Sequence, residues 1–340
     1  MLKLALFLLV LVLLRQVMIG ALFLLAEECS FHLGSYRGTL LLTRLIWLLG
    51  PDAGMRRSLR QLTVHAREAL GETARAIQGA RRLADEARAV GSWELANTAI
   101  NTFINAGLYR EALEVEQLWP RGKAQALEEE LGESEALAQL NLCEALYNLG
   151  DWKAAGERLH RLEEAAGEVP ILRNGILLQR AWIQANTGWG ANALACLEQV
   201  EREDLPRVYW SEVTFTHAAA LLALRRYDEA EQQARAGLEL ARRAASTRNG
   251  LFLLGRISLE AGRLEAALRH FEVGAAHPYK GQGGSGLLAW GDCLDRLGQS
   301  EQAREAWRLV LERDPQSGAA RKAISRLGAT SDPGGLVLGG

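Results

Sequence analysis

The stretch LLAWGDCLDRLGQSEQAREAWRLVLERDP, from Leu287 to Pro315, decides the fold. Most of its residues are good helix formers, but Gly298 interrupts them in the middle. A glycine can end a helix there because it readily adopts a positive φ. Ala303, five residues later, is small enough to let a second helix lie close to the first, and Trp307 follows one turn on, where it can pack inward. The stretch therefore predicts a helix hairpin.

The same turn followed by an alanine recurs through the chain beyond about residue 90. Six alanines stand five residues after a turn, at separations of 36 to 43 residues: Ala112, Ala155, Ala193, Ala230, Ala267 and Ala303. Five of these turns carry a glycine, namely Gly107, Gly150, Gly188, Gly262 and Gly298, whereas one carries Arg225. The repetition predicts about six helix hairpins in a row.

A large apolar residue follows the alanine by four positions in four of these units: Leu159, Leu197, Phe271 and Trp307. Glu116 holds this place in the first unit and Ala234 holds it in the fourth. We therefore expect the first and fourth units to be degenerate.

The composition agrees with an almost entirely helical chain. Of the 340 residues 49% are hydrophobic, which is enough to bury a core, and the formal net charge of −2 argues against a nucleic-acid partner. The four cysteines are widely separated and match neither a zinc site nor a dense disulfide framework: Cys29, Cys143, Cys196 and Cys293. This pattern favours a reducing compartment for the body of the chain.

The last unit resembles the tetratricopeptide repeat (TPR) family. The residues at the consensus positions of that family are Leu287, Gly291, Leu294, Gly298, Ala303, Trp307 and Pro315. The resemblance covers residues 93–327, of which residues 316–327 look like the helix that caps the final repeat. It implies an all-α fold, a right-handed superhelical solenoid of helix hairpins, whose concave groove binds a segment of a protein partner.

The resemblance also implies which side chains face the groove, since the first helix of each pair lines it. The groove positions are Asn97, Asn101, Asn105, Glu144, Tyr147, Asn148, Trp182, Asn186, Arg256, Glu260, Asp292, Asp295 and Arg296. A row of asparagines can donate and accept hydrogen bonds along a peptide backbone, and Tyr147 and Trp182 can supply contact area. The alternative is that these residues form ordinary solvated polar faces.

Two apolar runs occupy the first fifty residues. Residues 4–26 are long enough for a transmembrane helix, and their apolar residues outweigh the cost of one central charge at Arg15. The run is too long for a removable signal peptide. Residues 39–50, with Trp47, are too short to span and predict an interfacial or re-entrant segment, with burial against the body as the alternative. We expect residues 1–50 to anchor the chain in a lipid bilayer.

The orientation of this anchor depends on the basic residues around it. Arg56, Arg57 and Arg60 follow the anchor, whereas Lys3 alone precedes it. This asymmetry favours an array on the cytoplasmic side of the membrane, and a bacterial inner membrane is the expected location. A single span with its N-terminus inside would instead place the array in the periplasm.

Two further stretches flank the array. Residues 51–92 are basic and helix-prone, and they predict either a stalk or a degenerate repeat. Residues 328–340 are rich in glycine and predict a disordered tail.

One loop has the spacing of a dinucleotide fingerprint, G-x-G-x-x-G, at Gly281, Gly283 and Gly286. That fingerprint needs a preceding strand, but the residues before it are helix-prone, so we interpret the loop as a connector between repeats. The alternative is an anion held at the following helix N-terminus, with Lys280 nearby. The sequence shows no catalytic motif and no metal-ligand spacing, and we expect no enzyme activity, no metal and no cofactor.

These observations predict a membrane-anchored, non-enzymatic scaffold or adaptor. It would hold a segment of a partner protein, itself membrane-associated, and assist assembly of a membrane or envelope complex. The layout is similar to that of bacterial inner-membrane proteins with this repeat. The alternative is an integral structural subunit of a larger membrane machine, whose other subunits would pack against Arg15 and the two apolar segments.

Overall fold

The computed structural model describes residues 2–118, 133–165, 169–277 and 283–329 of the chain. Within those ranges it contains seventeen α-helices and no β-strand, which confirms the all-α prediction. The first two helices, α1 (Leu2–Glu27) and α2 (Tyr36–Leu48), form an N-terminal hairpin with a π-helix (Glu28–His32) between them.

Seven more helix hairpins follow in chain order. They are α3 (Ala53–Ala69) with α4 (Thr73–Val90), α5 (Trp93–Asn105) with α6 (Tyr109–Gln117), α7 (Glu133–Leu149) with α8 (Trp152–Ala165), α9 (Pro170–Asn186) with α10 (Gly190–Leu197), α11 (Trp210–Ala223) with α12 (Tyr227–Leu240), α13 (Ala244–Glu260) with α14 (Leu264–Ala276), and α15 (Gly284–Arg296) with α16 (Ser300–Arg313). A final helix, α17 (Gly318–Ala329), packs against α15 and α16.

The turn inside each predicted hairpin has a left-handed backbone residue. The five glycines identified from the sequence have φ between 76° and 90°. Arg225, at the sixth turn, has φ of 60° and is the one non-glycine residue with positive φ in the described part of the chain. The hairpin geometry therefore requires this conformation even where the residue is unsuited to it.

The six repeat alanines lie where the two helices of a hairpin meet, and all six are completely buried. Glycine serves a similar purpose at Gly291, where a Cβ atom would collide with the indole Nε1 of Trp307. Trp307 is itself only 2% exposed. Small residues thus set the close helix spacing that the large ones fill.

The stretch 51–92, for which a stalk and a degenerate repeat were alternatives, forms the α3–α4 hairpin. Gly71 supplies the left-handed turn with φ of 79°, and Ala76, five residues later, is buried like the other repeat alanines. Helix α4 also packs closely against α5. The stretch therefore forms a helix hairpin that packs against the first predicted repeat.

The first degenerate unit replaces an apolar contact with an ion pair between hairpins. The Glu116 carboxylate accepts hydrogen bonds from Arg158 Nη2 at 2.9 Å and from Gln139 Nε2 at 2.9 Å. Burial alone would raise the pKa of Glu116, but the Arg158 guanidinium outweighs this effect and holds the pKa below its ordinary value.

The array closes on itself after about one superhelical turn. The backbone N–H of Arg110 donates to Gln316 Oε1 at 2.8 Å, and Gln316 Nε2 donates to Glu111 Oε2 at 3.0 Å. Arg321 Nη2 donates to the carbonyl of Leu149 at 2.6 Å. The capping end therefore rests on the α5–α6 and α7–α8 hairpins, and the concave side becomes the inside of a ring.

The first two residues of the predicted disordered tail are helical. Gly328 and Ala329 belong to α17, and the remainder of the predicted tail, residues 330–340, lies outside the described residues.

The N-terminal hairpin packs one face against the array. Ile19 of α1, Ile46 of α2 and Leu59 of α3 form a small buried cluster. Helical residues Val10–His32 have the length and composition to cross a membrane, and little of this stretch is buried. A signal sequence or a buried core helix has a similar composition.

Candidate functional site

A cavity of about 360 Å³ lies inside the ring. Its wall is built by the first helices of successive hairpins, α5, α7, α9, α11 and α13, as well as by the loop before α11. Six carboxamide side chains line it: Asn97, Asn101, Asn105, Asn141, Gln179 and Asn249. This volume is in the range of cavities that hold small ligands or short peptide segments.

The asparagines of α5 form a row because residues four apart lie on one helix face. Asn141 on the next hairpin donates to Asn97 Oδ1 at 2.7 Å, and Asn105 donates to Asn101 Oδ1 at 3.2 Å. These contacts fix the orientation of the amides.

A buried ion pair closes one end of the cavity. Arg243, at the start of α13, pairs with Glu68 of α3, which is 175 residues away in the sequence. Asn105 Nδ2 also donates to Glu68 Oε1 at 3.0 Å, and Arg243 lies over the ring of Tyr209 at 6.0 Å from its centroid. Burial opposes the charge on Arg243, but the carboxylates of Glu68 and Glu212 outweigh it and raise the pKa of Arg243.

Glu212 supplies a second carboxylate at this end. Its two oxygens accept hydrogen bonds from Ser246 Oγ at 2.5 Å and from Ser211 Oγ at 2.7 Å. The carboxylate is therefore held in one orientation at the cavity wall.

The cavity also has an apolar lining. Trp182 and Phe215 contribute aromatic surface, and leucines from three helices complete it: Leu137, Leu140, Leu178 and Leu253. Gln179 Nε2 is buried and, among the residues the structure describes, has no hydrogen-bond partner. Arg243 Nε is likewise buried without a partner in the described part of the chain. The cavity thus combines an amide row, an apolar lining and these two polar donors.

Comparisons with known proteins agree with this architecture. A family model described as tetratricopeptide repeat matches residues 286–317. The chain folds as a tetratricopeptide-repeat protein.

Two solved structures show the extent of the likeness. A Rap protein complexed with competence and sporulation factor is 12% identical, with a TM-score of 0.52 over 92% of this chain and 80% of that chain. The C-terminal part of a TPR repeat-containing protein from Cytophaga hutchinsonii is 16% identical, with a TM-score of 0.32 over 78% of this chain and 99% of that chain. No curated protein matches the chain by sequence.

The TPR array brings five of the predicted groove residues to the cavity: Asn97, Asn101, Asn105, Glu144 and Trp182. Two others use their amides within their own helices, because Asn148 donates to the carbonyl of Glu144 at 3.0 Å and Asn186 donates to that of Trp182 at 2.9 Å.

The remaining predicted residues lie outside this cavity. Arg256 donates to Asn186 Oδ1 at 3.3 Å, and burial lowers its pKa. Tyr147 stacks edge-on against Trp152 with ring centroids 4.2 Å apart. Asp292 pairs with Arg326 of the capping helix.

Three other predicted groove residues also lie outside the cavity wall. Arg296 donates to the carbonyl of Leu259 at 3.2 Å, whereas Glu260 and Asp295 are exposed.

Sequence reasoning missed the charged end of the cavity: Tyr209, Glu212, Arg243, Ser246 and Asn249. The α11 unit lacks a turn glycine, and nothing in a local pattern pairs a residue of α3 with one of α13. The Glu68–Arg243 contact depends on how many repeats complete one superhelical turn, which no single repeat encodes.

A carboxylate of the chain itself occupies the N-terminus of the helix that follows the glycine-rich loop. The N–H of Gly284 donates to Asp314 Oδ2 at 3.0 Å, at the start of α15. Gly283, with φ of 137°, precedes the helix and Gly286 lies in its first turn, while Gly281 and Lys280 lie outside the described residues. An external anion at this position would have to displace a buried carboxylate.

Within the described residues there is no group of three or more His, Cys, Asp or Glu that could hold a metal ion. His65 stacks on Phe31, with ring centroids 5.1 Å apart, and desolvation of the imidazole together with Arg243 lowers the pKa of His65 to about 3. Burial raises the pKa of the Cys143 thiol to about 12. Both side chains are therefore packed in uncharged forms.

Proposed function

We propose that this protein is a non-enzymatic scaffold that binds a short extended segment of a partner protein inside the ring. The observation that carries the proposal is the cavity itself, which is lined both by an ordered asparagine row and by Trp182, Phe215 and leucines. Amides hydrogen-bond a peptide backbone irrespective of its sequence, whereas the apolar lining selects side chains. The Rap protein, which shares this fold, was solved with a bound factor.

We further propose that the scaffold works at a membrane, where it assists assembly of a membrane or envelope complex. Its exposed apolar N-terminal hairpin supports this location. The basic residues that follow the hairpin support an array on the cytoplasmic side.

Photo-crosslinking tests the binding site. A photoreactive residue in place of Trp182, inside the cavity, should crosslink one partner segment that mass spectrometry identifies repeatedly. The matched control is the same residue in place of Trp189, which is 64% exposed and does not line the cavity. Equal capture of the same proteins from both positions would contradict segment binding in the cavity.

A further inference from the structure

The exposed apolar surface of the molecule is concentrated in its first hairpin. Of the 22 large hydrophobic residues exposed in the described chain, 14 lie between Val10 and Leu48. The whole remaining array, which is several times longer, exposes the other eight, and these are scattered. Such a concentration marks a binding surface for an apolar phase.

This surface extends along both helices of the hairpin. On α1 every residue from Val10 to Leu14 is exposed around the helix, as are Val17, Met18, Leu24 and Leu25 further along, whereas Ile19 is packed inward. On α2 the exposed large apolar residues are Leu41, Leu45, Trp47 and Leu48, whereas Thr39, Thr43 and Ile46 are buried. Helices α1 and α2 pack against each other, so their exposed apolar residues belong to one hairpin.

The register of the hairpin limits how α1 can cross a bilayer. Arg15 Nε donates to the carbonyl of Leu49 at 2.6 Å, and Thr39 Oγ1 donates to that of Ala26 at 3.4 Å. Helices α1 and α2 are therefore antiparallel, with the end of α2 beside Arg15.

Helix α3 begins at Ala53, so the array starts level with Arg15 and only residues 2–14 project beyond it. Thirteen residues at 1.5 Å each reach about 20 Å, which is short of the ~30 Å hydrocarbon core. A perpendicular crossing by residues 4–26 would also draw exposed Asp52 and Arg56 into hydrocarbon.

The charges around the surface suit anionic lipid. Arg37 and Arg44 are exposed on α2 beside its leucines, and α2 itself contains no acidic residue, whereas Glu28 and Asp52 lie beyond its two ends. A helix with basic residues beside exposed leucine and tryptophan is typical of segments that lie in the interface plane. Trp47 lies at the end of α2, where Arg56 stacks on its ring at 6.0 Å from the centroid.

We propose that the α1–α2 hairpin inserts in the plane of one leaflet of an anionic bilayer, with the N-terminus and the TPR array on the same side. This inference rests on the membrane location proposed above and specifies its geometry. It also resolves the orientation problem, because an array on the cytoplasmic side no longer requires the N-terminus to cross the membrane.

Vesicle flotation tests the membrane surface with the full-length protein. Vesicles containing phosphatidylglycerol should carry the protein to the top of a gradient, and the triple substitution Leu41→Ser, Leu45→Ser, Leu48→Ser should reduce the bound fraction at least tenfold. The control variant, Trp189→Ser, Val273→Ser, Ile324→Ser, removes exposed apolar residues elsewhere and should bind normally. Circular dichroism verifies that both variants are folded.

Intact-mass labelling tests the topology. The test variant carries one cysteine in a short Gly-Ser extension before Met1 and a second at Gln302→Cys in the array, while Cys29→Ser removes a native thiol. The variant is reconstituted in sealed vesicles, which are then treated with an impermeant maleimide. If the N-terminus and the array lie on the same side, both cysteines are labelled in molecules that face outward. Neither cysteine is labelled in molecules that face inward. Singly labelled molecules would show a transmembrane α1 and overturn the proposal.

Two other outcomes would also overturn it: failure to bind vesicles, or a lipid-free dimer that covers the same surface and does not float. Crosslinking from Trp182 reports separately on the cavity, so failure of the membrane proposal and failure of segment binding are distinguishable.

Discussion

The last two hairpins and the ring closure are stabilised by different chemistry. In the α13–α17 region the contacts are apolar and local, with Phe252, Phe271 and Trp307 packed into spaces left by glycine and alanine. The closure is polar and joins distant parts of the chain, through Glu68 with Arg243 and through Gln316 with Glu111. Apolar packing between neighbouring repeats therefore stabilises the solenoid. A few polar contacts between its two ends close the solenoid into a ring with a cavity.

The largest expected effect comes from breaking the closure. Arg243→Met leaves the Glu68 carboxylate buried without its cation, which should reduce the free energy of unfolding by about 3–5 kcal/mol. Urea denaturation measures the change. The matched control is Arg263→Met, whose partners are Asp228 and Glu231 near the surface, and it should cost no more than about 1 kcal/mol.

A double variant sharpens this result. Glu68→Leu together with Arg243→Met removes both charges and should recover most of the lost stability. Equal losses from Arg243→Met and Arg263→Met would show that the buried closure contributes no more than a surface pair.

The second effect is a pH dependence located at Asp314, which joins the α15 N-terminus to Tyr109 across the closure. Burial raises the pKa of Asp314 from 3.8 to about 6, despite the hydrogen bonds it accepts. The folded state thus holds this proton more tightly, so its stabilising contribution is present below pH ~4 and is lost as the pH rises through about 6.

Comparison of the native chain with Asp314→Asn isolates this contribution. The stability of the variant relative to the native chain should rise by up to about 3 kcal/mol between pH 4 and pH 7, measured by urea denaturation at each pH. Asp228→Asn, at a side chain that is 95% exposed, is the control. A difference that stays flat across this range for Asp314→Asn would contradict the assignment.

Local patterns were enough to predict the hairpins, because a turn glycine, a small residue and a large apolar residue act within one unit. The sequence also showed that Arg225 stands where the other turns have glycine, and in the structure Arg225 has a positive φ. The closure was not predictable, since pairing Glu68 with Arg243 depends on the superhelical pitch summed over all units. For the same reason the charged end of the cavity was missed, whereas the asparagines of α5, set by one helix face, were found.

The third prediction concerns repeat packing. Ala303→Leu forces a larger side chain between α15 and α16, where Ala303 is completely buried, and should cost about 1–3 kcal/mol in unfolding free energy. Gln302→Leu, next to it on the exposed side, should change little. If both variants unfold at the same urea concentration as the native chain, small residues do not set the helix spacing.

The smallest effect tests the turn. Arg225→Gly should raise the stability by about 0.5–1 kcal/mol, because glycine takes a φ of 60° without steric cost. The reciprocal change, Gly262→Arg, meets no neighbouring atoms and should lower the stability by a similar amount. Thermal unfolding measures both, and changes of the same sign would contradict a conformational cause.

Ring closure is the central claim, and one distance tests it most directly. Spin labels replacing Arg110 and Pro315 lie on the two sides of the closure, 205 residues apart in sequence but next to each other in the fold. Double electron–electron resonance on the full-length protein should give a single narrow distribution at the short end of the measurable range. A long, broad distribution would mean an open solenoid without an enclosed cavity.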